Sequence, residues 1–329
     1  MGTSLTSQKP VPDVDLTQKT VIVTGANTGI GYETAKALAQ LGAKVIVACR
    51  SEAKANEAME RMKKEHSEEK AEPKKSNVNI KADDLDVEFM TLDLSSIAST
   101  MSFVEAFKAK GLPLHILVCN AGIVYGGEAQ TADGFEIHFQ VNYLSHFLLT
   151  LHLLPVLKAS GGNAKVILVS SMAYRQVGWH EDNIQSNNKD QMTRYGSTKL
   201  YQIMEMFTLA EKLEGTGIGV FSLHPGFVDS DIFKKENQQI SGPTKFVVGM
   251  LASIKLSRNT FDGALTTIHA AVDPQYDGKT ALYFENTKPT RLKSSVATNK
   301  DKQEFLWKYS LDCLKDYVTE DTLKELTSQ

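Results

Sequence analysis

Long apolar runs are missing from this sequence, and so is an apolar core near the N-terminus. Neither a membrane-spanning helix nor a secretion signal can be read from it. Cysteine is scarce: Cys49, Cys119 and Cys313 are the only three in 329 residues, far apart and without metal-type spacing. That usage fits a reducing, cytoplasmic location without disulfides and predicts no metal site. An excess of one charge is also lacking. The formal net charge of −3 provides no basic field for nucleic acid. No internal repeat appears. The first residues, Met1 to Thr6, match the minimal myristoylation pattern at Gly2, but no polybasic partner follows, so residues 1–18 read as a flexible lead-in.

What the sequence does have is an ordinary globular balance, 42% hydrophobic and 23% charged, enough for a sizeable core. The rest is organised around residues 19–31, Lys-Thr-Val-Ile-Val-Thr-Gly-Ala-Asn-Thr-Gly-Ile-Gly. A β-branched run reads as a buried strand. It meets Gly25, Gly29 and Gly31 and passes into a helical pattern at Ala35, Leu38, Ala39 and Leu41. Strand, glycine turn and helix N-terminus together make a cradle for a pyrophosphate. Because the spacing is G-x-x-x-G-x-G, a tight turn without a ligand stays open at this point.

Further strands are expected at 44–48, 87–92, 114–118, 165–170, 218–223 and 280–284. Helices are expected over 52–66, from an N-cap at Ser95 through Lys108, over 132–157 and over 195–213. Residues 67–85, dense in Lys, Glu and Asp, read as a solvated insertion, and 172–194 as a polar loop. The alternation predicts an α/β fold of Rossmann type: a doubly wound parallel sheet with helices on both faces. Gly25, Arg50, Asp93, Asn120, Ser171 and Pro225 each follow a strand, so all should crowd the ligand-bearing edge of the sheet. At the end of the second strand stands Arg50, with no acid beside it. An arginine there suits the 2′-phosphate of NADP(H), with a plain surface arginine as the alternative. No linker divides residues 19–329, so one domain with a C-terminal extension is expected.

The segments Thr24-Gly-Ala-Asn-Thr-Gly-Ile-Gly31, Asn120-Ala-Gly122, Ser171, Tyr195-Gly-Ser-Thr-Lys199 and Pro225-Gly226 occur in an order that resembles the short-chain dehydrogenase/reductase family. The likeness covers about residues 17–290. Residues 134–150 and 305–310 look like its retinol-dehydrogenase-like branch.

Tyr195 and Lys199 are four apart and share a helix face. A phenol near its ordinary pKa of ~10 is a poor base at neutral pH, and a neighbouring ammonium is expected to lower that value. Tyr195 can then exchange a proton with an alcohol or a developing alkoxide, and Ser171 can hydrogen-bond the same oxygen. Strand alternation turns only one of Ser170 and Ser171 to that side.

The resemblance implies more. It places Gly25, Asn27, Thr28, Gly29, Ile30, Gly31 and Arg50 on the cofactor's phosphates and ribose, with Asp93 and Leu94 at the adenine. Asn120, Ala121 and Gly122 would line its middle, although Asn120 bracing the sheet is an equal reading. Pro225, Gly226, Val228 and Ser230 would lie near the nicotinamide, with Ser230 where the family often has threonine. Lys199 would bridge the ribose hydroxyls, and Asn142 would serve a proton relay or hold the geometry. The implied activity interconverts an alcohol and a carbonyl with NADP(H) on an apolar substrate: a retinoid, a steroid or another isoprenoid lipid. The alternatives are a catalytically silent NADP(H) sensor and a membrane-surface protein. His138, His146 and His152 read as core or surface residues. Residues 244–256 read as a lid over an apolar substrate, with peripheral membrane or partner contact as the other use. Trp307 and the last helix are expected to pack on the domain, and the family's habit of pairing through long helices implies a homodimer.

Overall fold

The computed structural model describes residues 9–124, 130–226, 228 and 259–326. Gly2, Ser230 and residues 244–256 lie outside the described residues. The apolar runs form β1 (Thr20–Thr24), β2 (Lys44–Cys49), β3 (Val87–Thr91), β4 (Ile116–Cys119), β5 (Lys165–Val169), β6 (Gly219–His224), β7 (Leu282–Glu285) and β8 (Lys288–Pro289). They make one sheet in the order β3-β2-β1-β4-β5-β6-β7-β8. Every pairing is parallel until β8 returns antiparallel to β7, a short strand that the pattern did not announce. The register sets Thr20 against Lys44 on one side of β1 and Val21 against Ile116 on the other.

All five residues of β1 are buried, because both faces of the sheet are covered. Val21 and Val23 join the core beneath α1 (Gly29–Gln40) and the helix Thr260–Val272. Ile22 points the other way, into the core shared with α4 (Ser145–Ala159) and α5 (Gln191–Lys212). The chain moves outward from β1 to β3 and then crosses back to β4. A crevice for a ligand therefore opens between β1 and β4 at their C-terminal ends.

Several boundaries differ from the sequence reading, each for a local reason. The helix α2 (Glu52–Ala71) runs past residue 66, and the charged stretch after it folds back so that Val78 and Leu85 are buried. α3 (Ile97–Ala109) is capped by Ser96, which accepts from Ser99 N at 3.1 Å, while Ser95 donates to Asp93 Oδ1. α5 begins four residues before Tyr195 because Asp190 caps it through Thr193 N. The helix predicted over 132–157 starts later, since Gly134 sits in a turn at φ +84°, and it carries a π-turn at Phe139–Leu144. α6 (Thr260–Val272), α7 (Lys300–Cys313) and α8 (Glu320–Lys324) complete the order. Among the described residues no helix is long and apolar enough to cross a membrane.

Candidate active site

The turn after β1 is held by packing before any ligand is considered. A Cβ on Gly31 would lie 2.4 Å from the Gly25 carbonyl oxygen and 2.5 Å from Asn120 Nδ2, so only glycine lets α1 approach so closely. Gly25 itself sits at φ +66°. Thr24 is the hub of this corner, a role the sequence reading missed. Its Oγ1 accepts the amides of Asn120 and Ala121, both at 2.9 Å, and lies 2.9 Å from His146 Nε2. Burial pushes the His146 imidazole down to about 3, and its Nδ1 faces the Asn142 carbonyl oxygen at 3.3 Å. Nδ1 therefore donates, Nε2 is bare, and the Thr24 hydroxyl donates to it. Asn120 braces the sheet, as its second reading had it: Nδ2 donates to Thr24 O at 2.9 Å.

The π-turn aims Asn142 inward. Its side chain clasps the backbone of Ile123, accepting from N at 2.7 Å and donating to O at 2.9 Å, and donates to Thr198 Oγ1 at 3.2 Å. π-turns of this kind recur at functional sites. Gly122 lies beside it; a Cβ there would stand 3.3 Å from Asn142 Oδ1 and 3.5 Å from Lys199 Nζ.

α5 brings in the tyrosine and the lysine. Tyr195 is 9% exposed and Lys199 only 3%. Lys199 Nζ stands 5.6 Å from the Tyr195 ring centre. It donates to Val169 O at 2.8 Å and to Gln202 Oε1 at 2.9 Å. Gln202 is a second residue without a sequence signal of its own. Alternation settles the two serines. Ser170 is buried and donates to Lys199 O at 2.6 Å, whereas Ser171 faces the tyrosine and accepts from Ala173 N.

One expectation is reversed. The Tyr195 phenol stands above its ordinary range because burial disfavours the phenolate, with the Ser171 hydroxyl pulling it partly back. Burial also pushes the Lys199 ammonium down to about 7. Burial holds Tyr195 as a proton-bearing phenol.

The other expected residues fall along the same edge. Arg50 is exposed just past β2, and among the described residues it forms no ion pair. Asp93 turns on itself through Ser95, and Leu94 lends its carbonyl to the Ser145 hydroxyl at 2.7 Å. Pro225 and Gly226 follow β6, and Val228 is buried. A Cβ on Gly263 of α6 would lie 2.4 Å from Val228 Cγ2 and 3.3 Å from Ile30 Cγ1, so this glycine seats Val228 against the first turn of α1. Asn27 and Gly29 are half-buried and Thr28 is exposed at the mouth of that turn. The first turn of α1 carries no acidic side chain. These features fit a dinucleotide: a glycine turn leading into a helix N-terminus that suits a pyrophosphate, a glycine beside Asn142, and the Lys199 side chain close to it.

Comparison with known proteins agrees with the geometry. The family profile described as short chain dehydrogenase matches residues 19–86 and 66–241. The human polyprenol dehydrogenase is 35% identical over 309 residues, covering 92% of this chain and 86% of that protein. Mouse retinol dehydrogenase 12 is 36% identical over 306 residues, covering 92% and 88%. Among solved structures, an uncharacterized protein from Mycobacterium paratuberculosis superposes with a TM-score of 0.69 at 24% identity, over 94% of this chain and 98% of the other. With the fold, the order of its motifs and these relatives in agreement, the chain belongs to the short-chain dehydrogenase family of oxidoreductases.

Proposed function

We propose that this oxidoreductase uses NADP(H) to interconvert an alcohol and a carbonyl on an apolar, isoprenoid-like substrate. The observation that carries the reading is the buried corner in which Tyr195, Ser171 and Lys199 converge at the switch point of the sheet. A bound nicotinamide would supply or take the hydride. Tyr195 gives its proton to the developing alkoxide, and Ser171 donates a hydrogen bond to the same oxygen. Lys199, held in place by Val169 and Gln202, would hold the ribose hydroxyls of a bound cofactor. Asn142 keeps the turn after β4 against this corner. A phenol raised by burial suits the donor role in carbonyl reduction. Arg50, free of carboxylate partners among the described residues, supports a 2′-phosphate. The two relatives above are named for polyprenol and retinol, both isoprenoid alcohols, and they support that substrate class.

The test mixes the purified protein with NADPH or NADH and a panel of retinals, long-chain isoprenals and keto-steroids, and follows cofactor absorbance. Turnover with NADPH is expected. Tyr195→Phe should lose roughly 10²–10⁴-fold in kcat while keeping NADPH affinity. Arg50→Ala should weaken NADPH by about tenfold or more and leave NADH nearly unchanged. A Tyr195→Phe enzyme as fast as its parent would refute the mechanism, and an Arg50→Ala enzyme that binds NADPH normally would refute the cofactor choice.

A further inference from the structure

A second cluster of buried charge takes no part in the chemistry above. Glu136 and His138 precede the π-turn, and each is 1% exposed. His138 Nε2 lies 2.8 Å from the Val124 carbonyl oxygen, which can only accept, so Nε2 carries a proton. Nδ1 lies 2.7 Å from Glu136 Oε1. Both oxygens of that carboxyl already accept protons: Oε2 from the Phe139 amide at 2.8 Å and Oε1 from Arg194 Nη1 at 3.5 Å. Nδ1 and Oε1 therefore share a proton across their contact. The ring is held at both nitrogens, between a carboxyl and a carbonyl. For stability alone, apolar side chains would serve as well as this buried ionic cluster. What it adds is a fixed placement of whatever it is tied to.

It is tied to three segments around the reactive corner. Val124 packs against Tyr195 and Ala173. The Glu136 amide donates to Gln185 Oε1 at 2.8 Å in the loop after β5, and Gln185 Nε2 donates to the Tyr309 hydroxyl of α7 at 2.9 Å. Arg194 immediately precedes Tyr195 on α5. We infer that Glu136 and His138, with Arg194, are positioning residues: they clamp the Val124 wall against the Tyr195 ring and so fix the seat of the substrate's carbonyl end. This rests on the reading of Tyr195 as the proton donor. The cluster acts through Val124 and Arg194 and touches no reactant itself.

Two measurements test it, both on the full chain. The first is ¹⁵N NMR of the histidine-labelled wild type at neutral pH, with His138 assigned by loss of its signals in His138→Leu. Its Nε2 is expected at a protonated-type shift, because it donates to the Val124 carbonyl, and a bare Nε2 would overturn the clamp. This readout needs no turnover, so it stands apart from the success or failure of the reductase reading. The second is kinetic. His138→Leu and Glu136→Gln should raise the carbonyl KM about tenfold or more, with a smaller change in kcat and an unchanged NADPH affinity. His138→Gln, whose amide can still donate to Val124 O, should recover part of that loss. Folded variants with the parental KM, or variants that lose NADPH and carbonyl affinity together, would overturn the proposal.

Discussion

Glu205 shows how far burial can set the state of a single side chain in this protein. It is 2% exposed on α5, and among the described residues neither carboxyl oxygen has a hydrogen-bond partner. Burial alone holds its acid well above the carboxylate range, so it sits in the core as a neutral acid. The sign of the pH dependence follows. A group that binds its proton more tightly when folded favours the fold at low pH. It costs stability progressively as pH rises above the ordinary carboxyl range near 4.5 toward the folded value. Glu205→Met, which keeps the volume and drops the acid, is therefore expected to stabilise the protein above that range. The gap to the parent should widen by up to ~1.4 kcal/mol per pH unit. Denaturant unfolding of both proteins at a series of pH values measures it, and parallel profiles would show that Glu205 finds a partner. Lys199 follows the same rule in the opposite sense, since burial pushes its ammonium down to about 7. Nothing in the structure explains why Glu205 is an acid.

At the scale of elements, two glycines of similar sequence appearance do different work. A side chain on Gly31 would strike backbone and the Asn120 amide, both anchored, so α1 could not stay seated. A side chain on Gly263 would meet the tip of Val228, which can yield. Gly31→Ala is expected to cost several kcal/mol and to abolish soluble, folded protein. Gly263→Ala should change stability by only about 1 kcal/mol, yet weaken NADPH about tenfold by displacing Val228. Thermal unfolding beside cofactor titration separates the two outcomes; equal effects on stability would contradict this account. The contrast also marks what could be read in advance. The strands were legible because Val21 to Val23 and their counterparts form short apolar runs, and the site edge because its motifs each follow a strand. Gly263 was not, because a glycine in a helical pattern says only that something comes close. The Thr24 hub was hidden for a related reason: its partners Asn120 and His146 lie 96 and 122 residues away in sequence. The Asp190 cap escaped because one capping side chain leaves the apolar periodicity almost unchanged, and the π-turn because a single five-residue step, Phe139 to Leu144, is lost in an otherwise helical pattern.

At the scale of the molecule, the long helices that the family resemblance offers for pairing are already covered by the chain's own C-terminal part. Trp307 of α7 packs edge-on against Phe147 of α4 at 4.9 Å between ring centres. The Ser310 hydroxyl meets Tyr143 OH at 2.8 Å, and Leu306, Leu314, Val318 and Leu326 join the same core. Below α4, His152 Nε2 donates to the Tyr317 carbonyl at 3.0 Å. Nearly every residue of α5 from Tyr195 to Ala210 is buried. Burial of an indole such as Trp307 contributes on the order of 4 kcal/mol, so a second copy would have to displace a cover that is already favourable. A homodimer through α4 and α5 therefore competes with the protein's own fold. Light scattering on the full chain is expected to give the monomer mass of 36.2 kDa. Trp307→Glu, which places a charge beneath α7, should expose the apolar faces of α4 and α5 and make the mass rise with concentration. A wild type that is already dimeric, and that keeps its dimer mass when Trp307 is replaced, would sink this argument, because pairing would then ignore the cover altogether.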